Sequence, residues 1–462
     1  MRTFLVLLAL LAAGAGGAWY YAGTLPGPKV EILEPTKGVG QSGQMTVEVT
    51  TPRELLQQLD VWLEQNGERK ATLFSLSDSA SAAQLTSLPD RVRITRTLGK
   101  QDIPELQAGS ARIVVNAAGP VFFGLRTASA AADHEFEVHL TPPQIAVQSV
   151  HHFINQGGSE VVVYRTAPGV KSGVRVGDKE YPGFPASSAG IAGASPDLHV
   201  AFFALLWDQD SATPINLFAR DDYGNESRAS FDYRVIPKRF RQSRIPLDDR
   251  FLAKVVPAIL QNTADFKVQD PADLLASFLA INRDLRRQNN ATITELARHS
   301  APQVLWKDTF KQLANTAVEA GFADQRSYIY RDQSVDQQTH LGFDLASISN
   351  APVLASNAGS AVFAGWLGIY GNCVIVDHGM GLQSLYAHLS SIGVKVGQPI
   401  AAGQELGRTG ATGMAGGDHL HFTMLLNGNA VTPVDWWSKQ WIQDRIIRKF
   451  READIVAAAG SN

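Results

Sequence analysis

The sequence predicts a multidomain, mainly β protein with one helical stretch, and three observations carry that prediction. Short apolar runs with period-two alternation, separated by Gly, Pro or Asp, fill most of the first 237 residues. Between Leu247 and about Ala320 the apolar period changes to three or four residues, the mark of amphipathic helices. Beyond Tyr330 glycine rises: sixteen of the forty glycines lie between His340 and Gly428, so short strands joined by glycine turns are expected there.

At 462 residues the chain exceeds one ordinary core, and roughly 100 to 200 residues per domain suggest three or four units. An apolar content of 45% describes a globular chain rather than a polytopic membrane protein. A formal charge of −3 gives no electrostatic reason to expect nucleic acid as a partner. The basic run Lys238-Arg239-Phe240-Arg241 is followed at once by Asp248 and Asp249 and reads as a solvated linker. The single cysteine, Cys373, excludes an intrachain disulfide, and its apolar surroundings predict a small buried hydrophobe rather than a nucleophile.

The N-terminus predicts export. Arg2 is followed by a charge-free run to Pro28 whose densest part is Phe4 to Ala13. An uncleaved anchor is the preferred expectation for residues 1–27, because Thr3 to Ala22 is mainly apolar and ends in Trp19, Tyr20 and Tyr21. It would hold the protein at the cytoplasmic membrane with its bulk outside the cytoplasm. The alternative is a cleaved leader, for which Ala13 and Ala15 are suitably small, and a secreted product. No cysteine follows the apolar run, which excludes a lipoprotein anchor.

Residues 28–140 and 141–237 are expected to form two β-sandwich modules. The first is marked by Lys29–Leu33, Met45–Val49, Val92–Thr95, Ala111–Val115 and Glu135–Leu140. Leu55–Glu64 adds a helical turn or a further strand. After Pro142-Pro143 the second has Ile145–Val150, Glu160–Tyr164, His199–Leu206, Ile215–Arg220 and Ser230–Val235. Two such blocks in tandem resemble immunoglobulin-like modules, a likeness that implies little about chemistry. Residues 238–302 are read as a helical connector, with a start at Asp270-Pro271 and Asp273 and a stop at Arg286 to Asn290; Asp308–Ala320 is a further candidate helix. Residues 303–438 form the glycine-rich β domain. Residues 439–462 end the chain as a helix whose Ile442, Ile446 and Phe450 pack on that same domain.

Five of the eleven histidines fall between His340 and His421, which makes this window the place to look for a metal. His340 and Asp344 are four apart, so they share a face in either a helix or a strand. His419 and His421 are two apart in a strand-like run and point the same way. If His340, Asp344 and one of that pair bind zinc, the other stands beside the ion, and His388 supplies a second free imidazole. Two decoys are set aside. His134 and His139 are five apart in a strand pattern, and His151-His152 face opposite sides.

These residues resemble the lysostaphin-type (LytM-like) zinc endopeptidases that cut peptide cross-links in bacterial peptidoglycan. The likeness covers residues 303–438. It rests on His340-x-x-x-Asp344, Tyr386-Ala387-His388-Leu389, the turns Val396-Gly397-Gln398 and Ala402-Gly403-Gln404, the run Gly407 to Gly413, and His419-Leu420-His421-Phe422. The resemblance implies an antiparallel β metallopeptidase domain with an open groove and one Zn²⁺ per chain. His340, Asp344 and His421 would be the metal ligands, and His388 and His419 the catalytic imidazoles. It implies peptidoglycan stem peptides as substrate, with other envelope proteins as candidate partners. His378 would support the site from behind, and Arg326, Tyr328 and Tyr330 would line the groove edge. The competing expectation is an envelope regulator, non-hydrolytic or latent, that binds or activates another wall hydrolase.

Overall fold

The computed structural model describes residues 2–24, 27–51, 53–122 and 124–459. The chain divides into two compact units, Met1–Pro143 with Arg220–Ser227, and Gln144–Ala219 with Arg228–Asn462.

The first unit carries a four-stranded sheet (Lys29–Glu34, Gln44–Thr50, Val92–Thr97, Leu85–Ser87) and a five-stranded sheet whose longest members are Gly109–Val121 and Arg126–Val138. Alternation places every second residue of Gln58–Gln65 inward, so Leu59, Val61 and Leu63 share a core with Val47, Val49, Ile94 and Ile113. Of the two forms expected for Leu55–Glu64 the strand is found, as Gln58–Gln65, preceded by a helical turn at Arg53–Leu55. The N-terminal segment is a helix, Arg2–Ala22, but among the described residues no helix is long and apolar enough to cross a membrane. The expected anchor is thus not supported.

The second unit begins with antiparallel sheets built on Ser159–Thr166 and Leu198–Ala204 and on Lys171–Val176 and Ile215–Arg220. Two corrections follow in the helical region. The helix begun at the Asp273 cap does not stop near Arg286; it runs on through Ile281–Leu285 into Arg286–Ala297. Asp308–Ala320 is not a helix: Asp308 and Asn315 sit at φ of 56° and 54°, which a right-handed helix excludes, and only a strand, Ala317–Ala320, forms.

The C-terminal part is an eight-stranded sheet whose central strands are Phe343–Ala346, Leu420–Leu426, Leu382–Leu389, Asn372–Gly379 and Gly359–Trp366. Cys373 is buried in it, as its surroundings predicted. Beside it a three-stranded sheet joins Gln242–Leu247 to Asp324–Tyr330 and Gln333–His340. The terminal helix packs elsewhere than expected. Ile442 and Ile446 are buried, but Lys449 reaches the Ser159–Thr166 strand, and the Arg445 guanidinium lies 4.6 Å over the ring of Phe153.

Candidate metal centre

His340 ends the Gln333–His340 strand and Asp344 lies in Phe343–Ala346, so the two belong to different sheets. A corner at Leu341-Gly342 brings them together. Gly342 is required there, because a Cβ at that position would come 2.6 Å from the ring of His421 and from Thr423 Oγ1. His421 pairs in register with Asp344 across neighbouring strands. The result is a tight triad: Asp344 Oδ1 lies 2.9 Å from both His340 Nε2 and His421 Nδ1, which are 3.0 Å from each other. Among the described residues this is the one group of three metal-ligating side chains.

The outer hydrogen bonds fix which ring nitrogens carry protons. A carbonyl can only accept, so His340 Nδ1 is the N–H that donates to Gly321 O at 3.1 Å, leaving Nε2 bare in the neutral ring. Thr423 Oγ1 donates to Leu341 O and therefore accepts from His421 Nε2–H at 3.0 Å, leaving Nδ1 bare. Burial pushes the His421 imidazole down to about 4, so no extra proton sits there at neutral pH. Two lone pairs and a carboxylate oxygen thus face one another with no hydrogen between them. That arrangement is repulsive without a cation and is the donor set of two imidazoles and one carboxylate that zinc accepts.

His388 and His419 flank the triad, their rings 5.0 Å apart, with His388 5.7 Å from His421. His388 Nδ1 donates to Thr412 O at 2.8 Å and His419 Nδ1 to Gly417 O at 2.9 Å, so both Nε2 atoms are bare in the neutral rings. His419 Nε2 is 3.5 Å from Asp344 Oδ1. His388 holds φ at 62°, an uncommon conformation for a non-glycine residue, and such residues cluster at functional sites.

Residues 338–433 match the model of Peptidase family M23. The C-terminal part of this chain carries an M23 peptidase domain. Its relatives include the DD-carboxypeptidase/endopeptidase Mpg of Neisseria meningitidis serogroup B, 41% identical over 21% of this chain and 22% of that protein. The Peptidoglycan DD-endopeptidase ShyA of Vibrio cholerae is 38% identical over 20% and 21%. The Murein hydrolase activator EnvC of Escherichia coli is 34% identical over 23% and 26%. The chain thus spans roughly a fifth to a quarter of the length of these curated relatives. Among solved structures, a peptidase M23 from Pseudomonas aeruginosa aligns over 62% of this chain and 95% of its own at 23% identity, with a TM-score of 0.39. The catalytic domain of lysostaphin from Staphylococcus simulans aligns over 28% and 98% at 29% identity, with a TM-score of 0.25.

In the M23 domain the five histidine and aspartate positions named from sequence line one cavity of about 370 Å³. Burial opposes ionisation of Asp344, yet its close contacts with His340, His419 and His421 hold its carboxyl well below the usual range. Burial and the neighbouring His419 and His421 push His388 far down. Burial pulls His419 down too, but the Asp344 carboxylate outweighs it and the net shift is upward. His378 does not serve the M23 site. It is fully buried, donates from Nδ1 to Ala358 O at 2.7 Å, pairs through Nε2 with Ser384 Oγ at 2.7 Å, and meets Phe310 edge-on. Tyr328 and Arg326 line the cavity; Tyr330 instead bonds Asp249.

Sequence reasoning placed Arg326 at the groove edge without its bond to the triad, and missed Tyr370, Pro246 and Phe251. Arg326 Nη2 donates to the second oxygen of Asp344 at 3.0 Å, orienting the carboxylate. Tyr370 packs 5.8 Å from the His421 ring. Pro246 and Phe251, which precede the M23 domain, wall the cavity from the side of the Asp249–Asn262 helix. Thr423 had a readable signal, since it stands two residues after His421 on the same strand face.

Proposed function

We propose that this chain is a zinc-dependent endopeptidase of the cell envelope that hydrolyses peptide cross-links of bacterial peptidoglycan. His340, Asp344 and His421 hold one ion per chain, and His388 and His419 handle protons. The observation that carries this reading is the convergence of three proton-free acceptor atoms within 3.0 Å, beside two imidazoles whose bare Nε2 atoms line the same cavity. A relative named as a peptidoglycan DD-endopeptidase supports the substrate class.

Zinc, when bound, supplies Lewis acidity: it polarises the scissile carbonyl and acidifies water. The chain's own residues do the rest. Thr412 O and Gly417 O lock the His388 and His419 rings in one tautomer, so each presents Nε2. One accepts the proton of the attacking water and passes it to the leaving amine. The other, carrying a proton at Nε2, donates to the oxyanion, a contribution of about 3 to 4 kcal/mol in comparable sites. Arg326 orients Asp344 through its second oxygen.

The test is digestion of purified sacculi by the full chain and by His340→Ala, with product masses compared. Release of uncross-linked stem peptides by the wild type alone is expected. The match to a murein hydrolase activator motivates the competing reading, a non-hydrolytic regulator; the complete ligand set weighs against it. If wild type and variant release nothing, yet both stimulate a second wall hydrolase equally, the regulator reading replaces the enzyme.

A further inference from the structure

Arg286 lies outside the residues that match the M23 family, on the Arg286–Ala297 helix, and yet it lines the same cavity as the triad. Its guanidinium is held in place. Nε donates to Asn282 O at 3.1 Å and Nη2 to Asn282 Oδ1 at 2.6 Å, with Met414 Sδ 3.6 Å from Nη2. Asn282 is itself fixed: it is fully buried, and its Nδ2 donates to Asp336 Oδ2 at 2.8 Å, which turns Oδ1 towards Arg286.

The acceptors around Arg286 are therefore neutral. Among the described residues no carboxylate lies within ion-pair distance of it, and Nη1 makes no hydrogen bond. The other guanidinium of the cavity, Arg326, is already paired with Asp324 and Asp344. Asp336, the acid nearest in the network, is engaged by Arg283 and Asn282. Holding a half-buried cation rigidly without a counter-charge costs free energy, and it leaves Nη1 set for an incoming anion.

We propose that Arg286 is a specificity-determining residue that binds a carboxylate of the peptide substrate beside the metal cradle. The inference rests on the endopeptidase reading for its substrate class, and stem peptides carry free carboxylates close to their cross-links. Nη1 can donate to such a carboxylate, and the clamp on Nε and Nη2 fixes the orientation in which it does so. Because the residue comes from the helical segment rather than from the M23 domain, the selectivity belongs to this chain's own architecture.

The test separates binding from turnover. The uncross-linked muropeptide monomer, which lacks the bond to be cut, is titrated into the zinc-loaded full chain, either untreated or with its carboxylates amidated. Arg286→Gln should weaken binding of the untreated monomer by roughly 10- to 100-fold, and amidation should weaken wild-type binding similarly. The two changes together should cost little more than either alone. Arg286→Lys should fall between, since it keeps the charge and loses the fork. Thermal midpoints of the variants, compared with wild type, separate lost binding from lost folding. Equal affinity of wild type and Arg286→Gln for the untreated monomer overturns the proposal, and so does an equal effect of the variant on both monomers. Sacculus digestion, run in parallel, reads the endopeptidase assignment by itself.

Discussion

Lys449 Nζ lies 2.7 Å from Glu160 Oε1, and both side chains are shielded from solvent, at 2% and 0% exposure. The ammonium also donates to Val161 O at 2.9 Å, and the second oxygen of Glu160 accepts from Phe153 N. This pair ties the terminal helix to the Ser159–Thr166 strand. Burial raises the Glu160 carboxyl and lowers the Lys449 ammonium, so each charge persists only because of the other. Lys449→Met should therefore destabilise the second unit by about 3 to 5 kcal/mol, and adding Glu160→Gln should recover much of that loss. Denaturant unfolding of the three proteins checks it; an undiminished loss in the double variant would show that packing, not the stranded carboxylate, sets the cost.

Gly342 allows the corner that joins two metal ligands. Gly342→Ala would push a methyl group against His421 and Thr423, both 2.6 Å away. Zinc affinity should fall roughly 10- to 100-fold, as when outer-shell partners are lost, while the sheet stays folded. Chelator competition measures this, and unchanged affinity would mean that the corner gives way more readily than the geometry implies.

His388 and His419 are assigned to proton handling rather than to the ion. Each alanine variant should keep about one zinc per chain and lose roughly 10²- to 10⁴-fold in sacculus hydrolysis. His340→Ala and His421→Ala should lose the zinc itself. Metal analysis alongside product release distinguishes the two classes, and loss of zinc in His419→Ala would move that residue into the ligand set, consistent with its 3.5 Å approach to Asp344.

How much of this was legible depends on which forces act locally. The histidine spacing pointed to residues that the fold brings together, but the reason offered for His340 and Asp344 was incomplete. A regular period would place them on one face; in fact the strand ends at His340, and a glycine corner carries the chain into another sheet. His419 and His421 were simpler, because alternation along one strand is local. His378 was expected to support the site from behind, yet it fills the core against Phe310. The Asp308–Ala320 helix failed because periodicity does not register left-handed residues such as Asp308 and Asn315. Tyr370 and Arg286 reach the cavity from separate elements, and convergence over such separations leaves no local pattern.

Asp435 gives a pH signature separate from the metal centre. It is 6% exposed; Oδ1 accepts from Asn155 Nδ2 at 3.0 Å, and Oδ2 has no partner among the described residues. Burial pushes its carboxyl up to about 6 from an ordinary 3.8. The folded state therefore holds this proton more tightly than the unfolded chain, so between about pH 4 and 6 unfolding releases a proton. The contribution to stability is fully present below pH 4 and is lost as pH rises through 6, a difference of roughly 3 kcal/mol. Asp435→Asn cannot ionise, so the variant and wild type should be similarly stable near pH 4, and the variant should be the more stable above pH 6. Unfolding midpoints across that range decide the matter; parallel curves for the two proteins would place the titrating group elsewhere.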